Sequence, residues 1–174
     1  RLYEHWIDPE RALAQHELHV TMDTRMMFIR EIVLALEVVA KKGPRLRAFD
    51  FGMGWGDWCL MARAFGCEVS GTERSPSRVA NARANGIEVV AWEDIPSRRF
   101  DLINCDQVLE HVVDPLETLR YVAASLEPGG LLKVSVPDGK DMPRRLARGD
   151  WMAPEGSADS LLSVTPLQHI NCFQ

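Results

Sequence analysis

Three glycines stand at alternate positions in Asp50-Phe-Gly52-Met-Gly54-Trp-Gly56. Glycine weakens the interiors of helices and strands alike, and it belongs where a chain turns sharply or another group must touch the backbone. An apolar run, Leu46–Phe51, precedes this loop, and a helical stretch, Trp55–Phe65, follows it. Strand, glycine loop and helix in that order form the unit of an open α/β sheet. Its first loop is where such sheets meet nucleotide-like ligands, because missing side chains expose the backbone. Spacing narrows the ligand. The dinucleotide pattern G-x-G-x-x-G, begun at Gly52, needs glycine at position 57, which is Asp57.

The remainder of the chain extends the pattern. Cys67–Glu73 reads as a strand. Ser75-Pro76 opens a helix that stops at Gly86, Ile87–Ala91 and Phe100–Cys105 read as strands, and Asp114-Pro115 opens a helix to about Leu126. Glu127-Pro-Gly-Gly130 reads as a turn before a fifth strand, Leu131–Val136. Strands alternating with helices predict βαβ units, and near-continuous apolar strands predict a parallel sheet covered on both faces. Upstream, Asp8-Pro9 starts a short helix. Asp23 is the expected N-cap of a long helix from Thr24 to about Lys42, ended by Gly43-Pro44. Its apolar residues exceed one stripe, so the helix is expected to be largely buried. Beyond Pro137 only Met142–Arg148 reads as helix.

With 174 residues, 46% apolar and 26% charged, the chain is one globular domain rather than a disordered, collagenous or coiled-coil one. It divides into an N-terminal helical segment or lid (1–45), an α/β core (46–137) and an irregular segment (138–174). The apolar run 32–40 is too short for a membrane span and contains Glu37. A net charge of −5 gives no nucleic-acid scaffold. The four cysteines form no C-x-x-C pair and are expected to be buried free thiols, which fits a cytoplasmic protein. The chain opens on Arg1 without a signal pattern, and it is expected to be part of something longer. No feature specifies an oligomeric state.

Three pieces in order carry a resemblance. The first is the D-x-G-x-G-x-G loop. The second is Glu73 at the end of the second strand, placed to accept ribose hydroxyls. The third is Phe100-Asp-Leu-Ile-Asn-Cys-Asp-Gln-Val-Leu-Glu-His-Val-Val-Asp-Pro115 with Leu126-Glu-Pro-Gly-Gly-Leu-Leu132. Together they resemble the class I S-adenosylmethionine-dependent methyltransferases of small-molecule type, similar to ubiquinone-biosynthesis O-methyltransferases and to sugar and antibiotic-tailoring enzymes. Ser135-Val-Pro137 and His169-Ile-Asn-Cys-Phe173 also fit.

The resemblance implies a Rossmann-like, mostly parallel twisted sheet with helices on both faces, with final strands missing or replaced by loop. It implies S-adenosylmethionine as methyl donor, S-adenosylhomocysteine as product and a small-molecule acceptor offering an O, N or C nucleophile. It places Asp50 near the methionine amino group, and Gly52, Gly54 and Gly56 in the loop against the methionine moiety. It places Glu73 on the ribose, Arg74 beside the adenine, and Asp106 and Gln107 on the floor at the methionine end. The family's acidic residue after the third strand is missing. That position falls on Ala91 or Trp92, so Trp92 is expected to pack on the adenine while Glu93 or the backbone meets its amino group. A cofactor-binding regulator without turnover and an NAD(P)-dependent oxidoreductase are the competing readings.

A hydroxyl acceptor gains from a base. His111, following the fourth strand, and His169, on a segment able to return over the pocket, are the candidates; each also reads as an ordinary loop histidine. No metal site is expected, since His16 and His19 share a helical face without a third ligand. Trp58 reads as core, Trp55 as core or ligand contact. Met22, Met26 and Met27 read as core or lid, and Arg144, Arg145 and Arg148 as a solvated face.

Overall fold

The computed structural model describes residues 8–39, 45–154, 157–161, 164 and 169–173. Two helices come first. α1 (Pro9–His19) is capped by Asp8, whose carboxylate accepts from the Glu10 and Arg11 amides. α2 (Met22–Val38) is capped by Thr21, whose hydroxyl accepts from the Thr24 amide. Asp23 therefore stands inside the first turn, where its charge favours the helix dipole, rather than at the cap. The expected helix end at Lys42 and Gly43-Pro44 lies outside the described residues. The expectation of a largely buried α2 is corrected. Ile32 and Ala35 are buried, but Met22, Met26, Met27, Val33, Leu34 and Val38 are exposed. The helix rests on the sheet through one stripe, and nothing in the described residues covers the opposite side.

The core alternates as the sequence predicts: β1 (Arg47–Phe51), α3 (Asp57–Ala64), β2 (Glu68–Thr72), α4 (Pro76–Ala84), β3 (Glu88–Val89), β4 (Phe100–Asp106), α5 (Pro115–Ala123) and β5 (Leu126–Ser135). Short 3₁₀ turns, Trp92–Ser97 and Leu109–His111, flank β4. All pairings are parallel, in the order β3-β2-β1-β4-β5. The chain thus leaves β1 in one direction, returns beneath it and continues in the other. That reversal opens a crevice at the carboxyl ends of β1 and β4. The Glu127–Gly130 turn is absorbed into β5 as an irregularity: Phe100 pairs with Leu126, and the ladder resumes only at Leu102 with Leu131. After β5 come α6 (Met142–Arg148) and one parallel bridge, Asp138 to Phe173; no sixth strand occurs among the described residues.

Period-two alternation sorts each strand between two cores. Ala48 and Leu102 face α2 and α3, packing with Ile32, Trp58, Cys59 and Ala62. Phe49, Phe51, Ile103 and Cys105 face the opposite layer with Ile95, Leu109 and Val122, and Phe49 stacks on Phe100 at 4.4 Å. Both faces are therefore apolar. Polar residues on these strands stand out where they occur.

Candidate functional site

The alternation that turns Ala48 toward α2 also turns Asp50 that way. Asn104 is the register partner of Asp50 on β4, and Lys133 the partner of Asn104 on β5. A polar row thus crosses the sheet under α2. The Asn104 amide donates to Asp50 Oδ1 at 2.8 Å. Lys133 donates to Asp106 at 2.9 Å and meets Glu31 of α2 at the same distance. Asp50 is 3% exposed. Burial pushes its carboxyl up to about 7; the Asn104 hydrogen bond offsets part of this, and Asp106 adds to it. Burial draws the Lys133 ammonium down, but its bonds to Asp106 and Glu31 outweigh that and hold it above its ordinary value.

The glycine loop lies at the end of this row. Gly52 and Met53 donate their amides to the Thr72 carbonyl, fastening the loop to β2. Gly52, Gly54 and Gly56 all take positive φ, at 80°, 55° and 90°. At Gly52 a Cβ would meet Val108 at 2.6 Å, whereas at Gly54 it would meet nothing within 4 Å. Gly54 therefore presents bare backbone to open space. That space is a cleft of about 260 Å³ lined by Asp50, Gly52, Gly54, Trp55, Asn104 and Asp106, and roofed by His16 and Val20 with Thr24 and Phe28 of α2. His16 reaches Asp57 at the start of α3 (3.0 Å) and stacks on Trp55 at 5.6 Å. Arg78 lies over the same indole, 5.7 Å from its centroid. The side chain of His19 lies outside the described residues.

Glu73 follows β2 and joins the loop directly. Its carboxylate accepts from the Gly54 amide at 3.0 Å and from the Arg74 and Ser75 amides at 2.7 and 2.9 Å. A carboxylate has roughly four acceptor directions, so about one is left for a ligand hydroxyl. Trp92 stacks on Tyr121 at 4.9 Å and tilts against Phe51 at 5.5 Å; the Tyr121 hydroxyl donates to its carbonyl. Glu93 is exposed in the same turn, and Arg74 is exposed beside Glu73. Gln107 has φ 53°, a left-handed conformation unusual for a residue with a side chain, and its amide donates to the Ser135 carbonyl.

His111 and His169 come together although 57 positions separate them in sequence. Their rings stand edge to face at 4.9 Å. Ile170 and Asn171 donate their amides to the Glu110 carbonyl, and the Asn171 side chain donates to Leu109 and Val112. The C-terminal segment thus returns over the loop after β4. Trp58 is buried in the core, as expected, but it also lines the cleft, as the buried Trp55 does. Of the cysteines, Cys59, Cys67 and Cys105 are buried, whereas Cys172 is exposed, correcting the expectation of four buried thiols. Burial pushes the Cys59 thiol up, and the Cys105 thiol up to about 12.

Sequence reasoning missed Asn104, which lines the cleft, its neighbours Lys133 and Glu31, and Glu110 beside His111. For Asn104 a signal existed: it is a lone amide within an apolar strand expected to be buried on both faces. Lys133 carries the same signal in the fifth strand. Glu31 carries none, because a carboxylate on a helix reads as solvated until its neighbour is known.

The profile of the family described as "Methyltransferase domain" matches residues 22–174. A ubiquinone biosynthesis O-methyltransferase from Bradyrhizobium sp. (strain ORS 278) is 32% identical over 148 residues, covering 78% of this chain and 58% of that protein. The chain therefore spans somewhat over half the length of that relative. Among solved structures, the plantazolicin methyltransferase BpumL in complex with SAH superposes with a TM-score of 0.62 at 16% identity, covering 84% of this chain and 60% of that one. DesVI of Streptomyces venezuelae superposes with a TM-score of 0.61 at 17% identity, covering 76% and 58%. At such identities the superpositions establish the fold. No helix among the described residues is long and apolar enough to cross a membrane.

Proposed function

The chain belongs to the methyltransferase-domain family, and from that premise we propose that it transfers a methyl group from S-adenosylmethionine to a small-molecule acceptor, leaving S-adenosylhomocysteine. One observation carries the reading: bare backbone at Gly54 faces a cleft whose floor is the buried Asp50–Asn104 pair. The donor set fits the cofactor. Asp50 and Asp106 suit its cationic amine, and the buried Asn104 carbonyl oxygen has no hydrogen-bond partner and points to a missing donor. Bound there, S-adenosylmethionine supplies a methyl group activated by a sulfonium.

The chain's own residues then have separable tasks. Gly52 and Gly56 set the loop, and Gly54 lets the methionine portion lie against it. Glu73 pins the Gly54 amide and offers its remaining acceptor direction to the ribose. Arg74, Trp92 and Glu93 border the adenine side. Asp106, which lines the cleft, and Gln107 next to it border the methionine end. Holding the acceptor in line with the bond to be broken can supply several kcal/mol of the barrier. His111 and His169, with Glu110 behind them, take charge of the acceptor's proton when the acceptor is a hydroxyl. The acceptor is a small molecule rather than a nucleic acid, as the acidic balance favours. The buried thiols suit a cytoplasmic setting.

Isothermal titration tests the reading. S-adenosylmethionine and S-adenosylhomocysteine should each bind once per chain, and NADH should not. Binding of NADH alone would overturn it, and tight S-adenosylmethionine binding without turnover on a broad acceptor panel would favour a regulator.

A further inference from the structure

The fifth strand carries a charge within an apolar run. Lys133 stands beside Asn104 in the ladder, with its side chain 20% exposed. Asp106 pairs in register with Ser135, so the Lys133 ammonium reaches diagonally forward to donate to Asp106 Oδ1 at 2.9 Å. Glu31 Oε2, from α2, approaches the same nitrogen at 2.9 Å. We propose that Lys133 is a positioning residue of the cofactor site, holding the Asp106 carboxylate at the methionine end and tying the roof helix α2 to the cleft floor.

Stability explains this trio poorly. A half-buried ammonium gives up hydration, and replacing such ion groups by apolar side chains of similar volume is often neutral or stabilising. Methionine or leucine at this position would simply continue the run of Leu131, Leu132 and Val134. Geometry explains it better. Asp106 lines the cleft, and Lys133 takes Oδ1 of its carboxylate, which leaves Oδ2 for a ligand. Thr24 and Phe28 line the same cleft, and Glu31 follows them on one stripe of α2, at i, i+4 and i+7. The ion contact at Glu31 therefore fixes where that stripe sits on the sheet.

The role rests on the methyl-transfer reading, in which Asp106 suits the cofactor's amine. Two direct effects of Lys133 on such a ligand oppose each other. Its charge repels a cation, so charge alone predicts tighter binding once the ammonium is removed. An unheld Asp106 must be ordered on binding, and an untied α2 must be docked, so positioning predicts weaker binding.

Calorimetric titration of the whole chain with S-adenosylmethionine at pH 7.5 tests the role, with urea unfolding to check that each variant folds. Lys133→Met should weaken binding about tenfold through the lost charged hydrogen bond and ion contact. In an Asp106→Asn background the same change should cost about threefold or less, the share carried by α2. Equal or tighter binding by Lys133→Met overturns the role. So does an undiminished loss in the Asp106→Asn background, which assigns the effect to Asp50, whose carboxyl the ammonium draws down against burial. Should Lys133→Met fail to fold, Glu31→Gln decides: a loss of about threefold supports the tie to α2, and parent-like affinity overturns it. A parent chain that binds no S-adenosylmethionine overturns the methyl-transfer reading and this role together. A parent that binds, with variants that bind as well, overturns the role alone.

Discussion

Asp50 gives the sharpest test of the cofactor geometry. Its carboxyl is held at about 7 against an ordinary value of 3.8. If the cofactor's amine pairs with it, the ionised form binds and the protonated form must first release its proton. Affinity should then fall roughly tenfold for each pH unit below 7, about 1.4 kcal/mol per unit. Dissociation constants at pH 6 should be about ten times those at pH 7.5. Above about 8 the ligand's own α-amine loses its charge, so affinity should peak between about 7 and 8. Stability of the unliganded chain should move the opposite way. The folded carboxyl holds its proton where the unfolded one has lost it, so stability is fullest below pH 4 for this group and declines as pH rises toward 7. The decline is on the order of 4 kcal/mol at most. Asp50→Asn should flatten both profiles and weaken binding at pH 7.5. The assays are calorimetric titration and denaturant unfolding from pH 5.5 to 8. Affinity that does not vary between pH 6 and 7.5 in the parent chain refutes the pairing.

Gly54→Arg should abolish S-adenosylmethionine binding, because it fills the space before the bare backbone, and calorimetry on a cooperatively unfolding variant would expose unchanged affinity. Glu73→Ala should weaken binding by about 1–3 kcal/mol through loss of charge-assisted hydrogen bonds and release of the Gly54 amide; a loss below a few tenths would remove Glu73 from the site. Arg47→Met should destabilise the fold by about 1–3 kcal/mol in urea unfolding, since Asp101, 1% exposed, loses both guanidinium bonds, and the difference should shrink in acid as that carboxylate is protonated. A thiol reagent should modify Cys172 alone in the folded chain and all four cysteines in denaturant; three reactive thiols in the folded chain would contradict the described burial.

The legibility of this chain follows the range of its interactions. The five strands, the helices between them and the glycine loop are written in local signals: apolar runs, prolines in first turns and glycines at stops. Where expectation and structure differ, the competitor is local at the α2 cap and tertiary at the β5 turn. Thr21, not Asp23, caps α2, because its hydroxyl reaches the Thr24 amide. The Glu127–Gly130 turn stays within β5, because the ladder to β4 resumes beyond it. Cys172 is exposed although the other three cysteines are buried.

The sequence by itself determined the βαβ order, the position of the loop and, through ordered motifs, the family. Each depends on residues near one another along the chain. Only the tertiary structure decided what stands beside what. Parallel register set Asn104 next to Asp50, and the packing of α2 brought Glu31 to Lys133. The return of the C-terminal segment set His169 against His111 and Glu110. Such contacts join residues tens of positions apart, and no periodicity encodes them. The charge state of Asp50 has the same origin, because it depends on how completely other segments exclude water from it.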